Sequence, residues 1–395
     1  MKRCRKITCL DMYTALCAED VVFADGCADE SAGIYPCYYY RRDAGLYLST
    51  SVVRLIQHKG VFRLNRKFKP APWRLSEKDG HKGCVWLDRL LGCFAERDRV
   101  VCDWYHTRET IDAEIFKMRP FESVTFDANT AAPIPGGDFV GNGAFIEKTA
   151  FYISTFINGI ENEFPDYNHV VLTGGKDSQL ILLAPKVHDS RWNVFSSEPN
   201  APLVKRWVSD NGILINRIYE HDGKNEETGA DLSAKIVAGD LYSNPRHMRW
   251  LPTLKRIGAE LGGKCFFWAG TLGDTLMAFH KSYHRGTLND FYAMQFARGA
   301  SWQGNAHQVH KNFTGFACLS PYHSKEIWDN VFFRYDYESL SAGSDLRGKV
   351  GEALAGRTII WPDSNPSPPL YAYEKDVDLY RHYVRCVRAA LSQKS

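Results

Sequence analysis

One nine-residue segment, VVLTGGKDS at positions 170–178, constrains the fold of this chain more than any other. An apolar run ends in two glycines, and a helix-like stretch follows from Gln179 to Val187. Because Gly174 and Gly175 carry no Cβ atom, the backbone can turn sharply there and its N–H groups can approach a phosphate closely. A helix that starts beside them adds free N–H groups and the positive end of its dipole. The segment therefore predicts a strand, a phosphate-binding turn and a helix.

The polar side chains of this segment have roles of their own. Thr173 and Ser178 offer hydroxyl donors to a phosphate, and Lys176 offers a positive charge. Asp177 is better suited to holding the magnesium ion that neutralises a phosphate. The segment is not a Walker A loop, because an aspartate follows the lysine where that loop has serine or threonine. An ordinary strand-to-helix turn that happens to contain two glycines is the alternative.

The rest of the second half alternates between helical and strand-like patterns. Apolar residues recur at helical spacing from Phe145 to Ile160, and Gly262-Gly263 closes a second predicted helix. Such alternation is typical of an α/β fold with a parallel sheet and helices on both faces. The predicted strands are His169–Leu172, Trp192–Phe195, Ile213–Ile218 and Cys265–Ala269, and the second helix is Arg249–Leu261.

The first half has a different pattern of short, strand-like apolar stretches with one short helix at Thr50–Gln57, which is typical of a β-rich α+β domain. Two prolines and two glycines between Ala131 and Gly137 resist both helix and strand, so this stretch is the best linker. The sequence therefore predicts two domains, at residues 1–135 and 140–395.

Composition excludes several classes of protein. Apolar residues make up 44% of the 395 and charged residues 24%, which is the balance of a globular chain. A net charge of +3 is too small to indicate a nucleic-acid partner, and no apolar run is long enough to span a membrane. Acidic residues at 11, 19 and 20 interrupt the basic N-terminus, which argues against a secretory signal and for the cytoplasm. The eleven cysteines show no Cys-x-x-Cys pair and are expected to be reduced, buried side chains.

Residues 173–178 resemble the Ser-Gly-Gly-x-Asp-Ser signature of PP-loop ATP pyrophosphatases, with Thr173 in place of the first serine. Within that superfamily the chain is similar to the synthetase domain of asparagine synthetase and its relatives. A second segment supports this resemblance, because the strand at 266–269 runs into Gly-Thr-Leu-Gly-Asp-Thr at 270–275. The family has Gly-Glu-Gly-x-Asp-Glu there, and this chain keeps the last glycine and the aspartate.

The resemblance implies an ATP site and a reaction. It places adenine near Val171, Leu172, Phe195 and Ala269. Pyrophosphate would lie against residues 173–175, Gly270 and Gly273, with Mg²⁺ between Asp177 and Asp274. The implied enzyme adenylates a small-molecule or peptide carboxylate, releases pyrophosphate, and forms an amide with ammonia or an amine.

The first half is similar, more faintly, to the class II glutaminase domain of the same family, an Ntn hydrolase. The matching segments are residues 45–56 and 121–126. A glutaminase of this family uses cysteine as residue two, exposed by removal of the methionine, but this chain has Lys2. The resemblance thus implies a degenerate domain without glutaminase activity. The amine would be free ammonia, a second substrate or an internal amine, and a homodimer or an ammonia-supplying partner is an option.

Two further departures concern catalysis. Thr271 stands where the family has a glutamate that acts as a base, and an acid is also missing at Thr275. The family's loop lysine is absent from residues 361–369, so Lys281 and Lys349 are candidate substitutes. Any one of several histidines could replace the missing base, since imidazole titrates near neutral pH. These histidines are His280, His284, His307, His310 and His323.

Arg246 and Arg249 are candidates for clamping the substrate carboxylate, because they precede a predicted helix where the family lines its acceptor pocket. Two other functions are considered. Sulfur transfer to tRNA is disfavoured, because the second half offers few cysteines and no RNA-binding module. A catalytically inactive homologue that serves as a nucleotide-binding or partner subunit stays open.

Overall fold

The computed structural model describes residues 4–7, 21–24, 27–30, 37–65, 94–96, 99–101, 108–118, 122–131, 140–224, 250–277, 307, 310–311, 313–335 and 345–362. Within this part of the chain, no helix has both the length and the apolar character needed to cross a membrane.

In the first half, the described residues form short strands and one helix. Strands β1, β3, β9 and β10 form one four-stranded sheet in that order, and β2, β5, β4 and β8 form another. β1 and β3 run parallel, and the other neighbours in these two sheets are antiparallel. The elements are β1 (Cys4–Ile7), β2 (Val22–Ala24), β3 (Cys27–Glu30), β4 (Tyr38–Arg42), β5 (Gly45–Ser49), α1 (Val52–Lys59), β6 (Phe94–Glu96), β7 (Arg99–Val101), β8 (Phe116–Lys117), β9 (Glu122–Thr125) and β10 (Asn129–Ala131).

The predicted short helix of this half is confirmed as α1. Ser51 caps it by accepting a hydrogen bond from the backbone N–H of Arg54, and Gly60 ends it in the left-handed conformation. Its apolar face is buried, as the spacing of Val52, Val53, Leu55 and Ile56 predicts.

The second half forms a parallel sheet flanked by helices, which confirms the predicted α/β class. Five strands lie in the order β13-β12-β11-β14-β15, and every neighbouring pair is parallel. The elements are α2 (Asn142–Glu163), β11 (Asn168–Leu172), α3 (Lys176–Leu183), β12 (Trp192–Ser197), α4 (Ala201–Asp210), β13 (Arg217–His221), α5 (Leu251–Glu260), β14 (Cys265–Ala269), α6 (Gly273–Met277), β15 (Cys318–Leu319), α7 (Lys325–Asn330) and α8 (Leu346–Ala355).

Three elements of the second half differ most from the sequence prediction. α3 ends at Leu183 rather than Val187, because Pro185 forces the residue before it out of helical geometry. The third strand is β13 and not Ile213–Ile218, since Ile213 and Ile215 pack against the core before the strand begins. β15 was not predicted, because two residues are too few to form a pattern.

The sheet is buried on both faces. Along β11 and β14, Val171 and Trp268 face one apolar cluster, whereas Val170 and Phe267 face the other. Successive strand residues point to opposite faces, so the apolar residues of these two strands contribute to both clusters. The helix α5 packs on the second face, through Leu254 and its apolar neighbours. This arrangement leaves the ends of the strands as the places where polar groups can collect.

The order of the strands creates one special position. From β11 the chain moves outward to β12 and β13, and then returns to β14 on the opposite side of β11. Ligands of open α/β sheets bind at such a switch point, beyond the carboxyl ends of the strands. The loops after β11 and β14 flank this position.

Candidate functional site

The glycine loop joins β11 to α3 as a tight strand-to-helix turn. The backbone N–H of Thr173 donates to the carbonyl of Phe195 at 3.0 Å, which extends the pairing of β11 with β12. Gly175 is extended and α3 begins at Lys176, which is earlier than the predicted start at Gln179. A Cβ atom on Gly174 would lie 3.1 Å from Nδ2 of Asn200. The loop thus brings its backbone close to the segment after β12.

The two hydroxyls of the loop contact each other. Ser178 Oγ lies 2.8 Å from Thr173 Oγ1 and 3.0 Å from the carbonyl oxygen of Gly175, and both side chains are buried. In this arrangement they stabilise the turn. We therefore expect the backbone N–H groups of the loop, rather than these two hydroxyls, to donate hydrogen bonds to a phosphate.

The second loop, after β14, packs directly on the first. A Cβ atom on Gly270 would lie 2.3 Å from the backbone nitrogen of Ser178, and one on Gly273 would lie 2.8 Å from Cβ of Asp177. The two segments approach each other so closely that neither position has room for a Cβ atom, so both require glycine. Leu272 between them has a φ of 74°, a left-handed conformation that costs a residue with a side chain about 1–3 kcal/mol.

Asp177 forms an ion pair with Arg347. Nη1 of Arg347 lies 3.1 Å from each carboxylate oxygen, and the two side chains are 19% and 25% exposed. This arrangement does not fit a magnesium ion at Asp177, because a cation already lies against both oxygens. Magnesium at this residue stays a prediction, and it requires the guanidinium to move away.

The predicted catalytic lysine of the loop is also paired. Lys176 Nζ lies 3.6 Å from Oδ2 of Asp345 and 5.2 Å from the centre of the Trp361 ring. The lysine and aspartate side chains are 28% and 55% exposed, so solvent weakens their attraction. The lysine is thus held loosely, next to the mouth of the glycine loop.

Helix α8 supplies the partners of both charged residues of the loop. Asp345 caps it by accepting from the backbone N–H of Gly348 at 3.0 Å. A Cβ atom on Gly351 would lie 3.1 Å from Leu180 of α3, so this glycine lets the two helices approach closely. The sequence analysis selected Lys349 from this segment, but Lys349 is exposed and Arg347 contacts Asp177. Helical spacing could have identified Arg347, which lies four residues before the buried Gly351.

The turn after β15 connects the first two loops. Tyr322 donates its hydroxyl to the carbonyl oxygen of Asp177 at 2.7 Å, and Ser320 Oγ donates to the carbonyl of Thr271 at 3.1 Å. Burial raises the pKa of Tyr322 well above its ordinary value, and the nearby carboxylate of Asp177 adds to this rise. Tyr322 is therefore a permanent donor. Sequence reasoning missed both residues, because nothing local marks this turn.

Two of the candidate histidines meet at Thr271. Its Oγ1 lies 3.0 Å from Nε2 of His307 and 3.4 Å from Nε2 of His323. His310 lies elsewhere, with its ring on Phe267 and its Nδ1 3.2 Å from a backbone carbonyl. The hydroxyl of Thr271 thus lies within hydrogen-bond distance of two imidazoles.

The residues predicted to contact adenine fall into two groups. Val171 and Phe195 have buried side chains that belong to the two cores, so they can reach a ligand only through their backbone. Leu172 and Ala269 are half-buried at the ends of their strands.

Several predicted residues lie partly or wholly outside the described structure. Asp274 is the second residue of α6, and only its backbone is described. Arg246, Arg249 and Lys281 lie outside the described residues, as do His280 and His284.

Within the described residues, no group of three or more histidine, cysteine or carboxylate side chains is placed to hold a metal ion. The three cysteines whose side chains are described, Cys37, Cys265 and Cys318, are buried, as predicted. A comparison with protein-family models matches no family, and a comparison with curated proteins finds no significant match.

Proposed function

We propose that residues 140–395 form a PP-loop domain that binds ATP, and that the enzyme uses it to adenylate a carboxylate and form an amide. The observation that carries this proposal is the meeting of two glycine loops at the switch point of the parallel sheet. The loop at 270–273 packs on Asp177 and Ser178, which directly follow the loop at 173–175, and this close approach suits a phosphate chain better than a bulky apolar ligand.

The charges around these loops suit phosphate oxygens. The contacts of Arg347 with Asp177 use Nη1 alone, and a guanidinium has further N–H donors for a phosphate. Lys176 can exchange its weak, exposed contact with Asp345 for a phosphate oxygen. Together with the N–H groups at the start of α3, these two cations would stabilise the negative charge that develops when pyrophosphate leaves.

The reaction proposed for this site has two halves. A substrate carboxylate oxygen attacks the α-phosphorus of ATP and pyrophosphate leaves. An amine nitrogen then attacks the carbonyl carbon and AMP leaves. We propose that the first half is a degenerate Ntn-like domain without glutaminase activity, as its resemblance implies. The amine is then ammonia, a second substrate, or ammonia delivered by a partner protein.

Pyrophosphate–ATP exchange across a panel of carboxylates tests this proposal. We expect carboxylate-dependent exchange that Asp177→Ala lowers on the order of 100-fold, because Arg347 loses the residue that holds it. Asp166→Ala is the matched control, since this carboxylate is 71% exposed and lies 3.9 Å from Arg191. Absence of both exchange and calorimetric ATP binding would overturn the proposal.

A nucleotide-binding subunit without catalysis is the second candidate, and the Asp177–Arg347 pair favours it. A guanidinium in place of a metal suits nucleotide binding that needs no magnesium. ATP binding measured with Mg²⁺ and with a chelator separates the two candidates. An enzyme should require Mg²⁺ and show exchange, whereas the inactive subunit should bind equally well in chelator and lose affinity in Arg347→Gln.

A further inference from the structure

A hydroxyl and two imidazoles meet where β14 ends. The Oγ1 atom of Thr271 lies within hydrogen-bond distance of Nε2 on both His307 and His323. The two histidines follow Thr271 by 36 and 52 residues, so the tertiary fold brings them together rather than a local turn. Both histidines are buried, whereas Thr271 is half-buried.

The hydrogen-bonding capacity of the three groups makes the arrangement asymmetric. A threonine hydroxyl has one proton to donate and two lone pairs that accept. It can therefore donate to the Nε2 of one ring while it accepts a proton from the Nε2 of the other. The two imidazoles would then hold opposite tautomers, and a proton can pass through Oγ1 without movement of any heavy atom.

This cluster is fixed to the phosphate loop. Gly270, the residue before Thr271, packs on the backbone of Asp177 and Ser178. Tyr322, the residue before His323, donates to the carbonyl of Asp177. Of the three polar groups, Thr271 is the one that reaches solvent, so it is the group that a bound substrate can touch.

We infer that Thr271, His307 and His323 form a proton relay for the second half-reaction, an inference that rests on the proposed function. The amine nitrogen bonds to the carbonyl carbon of the acyl adenylate, and the bond from that carbon to the phosphate oxygen breaks. The amine proton moves to Oγ1 of Thr271, and the threonine's own proton moves to an imidazole Nε2. AMP leaves with the electron pair on its phosphate oxygen. Thr271 is the catalytic residue, and the histidines act through it.

The first test uses the full-length protein without any substrate. Nuclear magnetic resonance of ¹⁵N-histidine-labelled protein reports the tautomer of each ring during a titration from about pH 5 to 9. We expect opposite tautomers for His307 and His323 and linked titrations, which Thr271→Val uncouples and Thr271→Ser preserves. Identical tautomers, or titrations that do not depend on residue 271, would overturn the relay. Because ATP is not needed, this result is independent of the proposed function.

The second test separates the half-reactions, with ammonium chloride as the amine. General acid–base groups contribute about 10²–10⁴-fold to rates, so Thr271→Val should lower amide formation by at least about 100-fold. Pyrophosphate exchange should fall far less, and Thr271→Ser should restore most of the amide formation. Equal losses in the two half-reactions would contradict the relay and indicate a purely structural role.

His310→Gln is the matched control for the second test. His310 is also buried, but its Nδ1 lies near the carbonyl of Phe316 instead of Thr271. It should leave the ratio of the two half-reactions unchanged. If no carboxylate of the panel supports pyrophosphate–ATP exchange by the wild-type protein, the proposed function fails. The histidine titration then decides by itself whether the relay exists.

Discussion

Two ion pairs, one in each half of the chain, differ in their exposure to solvent. In the first half, Lys59 Nζ lies 2.6 Å from Oδ1 of Asp112, and the aspartate side chain is 0% exposed. In the second half, the side chains of Asp177 and Arg347 are 19% and 25% exposed, at the open end of the sheet. The first pair is closed to solvent and holds the chain to itself. The second pair can be reached by a ligand.

The difference predicts which measurements respond to a substitution. Changes at the closed pair should alter stability and leave nucleotide affinity unchanged. Changes at the strand ends of the second half should alter both. The four predictions below use this contrast and run from the largest expected effect to the smallest.

Asp112→Ala should lower the free energy of unfolding by about 3–5 kcal/mol, because it leaves Lys59 buried without its main partner. The aspartate also accepts hydrogen bonds from the backbone N–H groups of Arg63 and Glu114. Urea denaturation measures the loss, and calorimetry should find the affinity for ATP unchanged. Glu114→Ala is the control, since this carboxylate contacts the same lysine but is 42% exposed, and it should cost less than about 1 kcal/mol. Similar losses of unfolding free energy in Asp112→Ala and Glu114→Ala would contradict the prediction that the buried carboxylate contributes more than the exposed one.

Acid should destabilise the second half through two buried histidines. Burial lowers the pKa of His169 to about 3 and that of His310 to about 4, both below the ordinary value. Between about pH 4 and 6.5 the unfolded chain binds more protons at these sites than the native chain, so stability is complete above about pH 6.5 and falls as the pH falls. Each histidine contributes about 1.4 kcal/mol per pH unit in that window.

For the two histidines together, the unfolding free energy should drop by about 3–4 kcal/mol between pH 6.5 and 5. Urea denaturation at several pH values measures this slope. His169→Phe should reduce the slope of unfolding free energy against pH by the contribution of about one proton, even if the variant is less stable at neutral pH. An unchanged slope in His169→Phe would contradict the assignment.

Gly270→Ala should destabilise the fold by about 1–3 kcal/mol and also weaken ATP binding. The new methyl group would lie 2.3 Å from the nitrogen of Ser178 and 2.5 Å from the carbonyl carbon of Asp177, and backbone atoms cannot yield as a flexible side chain would. Thermal denaturation and calorimetric ATP binding measure the two effects. Normal ATP affinity in a folded Gly270→Ala protein would show that the contact between the loops is not part of the site.

Gly159→Ala should have the smallest effect and the opposite sign. Gly159 lies within α2, is exposed, and has no atom within 4 Å of the position of an added Cβ. Alanine should therefore stabilise the protein by about 0.5–1 kcal/mol through its greater helix propensity. Thermal denaturation measures the gain. A loss of stability would mean that the solvent-facing side of α2 contacts another part of the chain.

Local patterns were enough to predict most of the sheet. β11, β12 and β14 lie where their apolar runs predict, and α2 and α5 follow the helical spacing of their buried residues. In each of these elements the residues that specify the structure are near one another in sequence. β13 was misplaced because Ile213 and Ile215 pack against the core without pairing as a strand.

The candidate site was only partly predictable. Both glycine loops could be identified, since each has its own strand, glycines and helix start. The residues that complete the site come from distant segments. Tyr322 and Arg347 contact Asp177 from 145 and 170 residues away, and His307 and His323 meet at Thr271. Nothing within either glycine loop specifies which distant side chain will contact it. The sequence could therefore only propose several histidines and lysines as the residues that complete the site.

The separation between Asp177 and Arg347 has a consequence for biosynthesis. A ribosome that adds about 5–20 residues per second needs roughly 10–30 seconds to make the 170 residues between them. The core strands β11, β12 and β13 leave the exit tunnel well before α8. During that interval the Asp177 carboxylate of the nascent domain has no Arg347 guanidinium beside it. The ion pair at the glycine loop can form only when α8 docks.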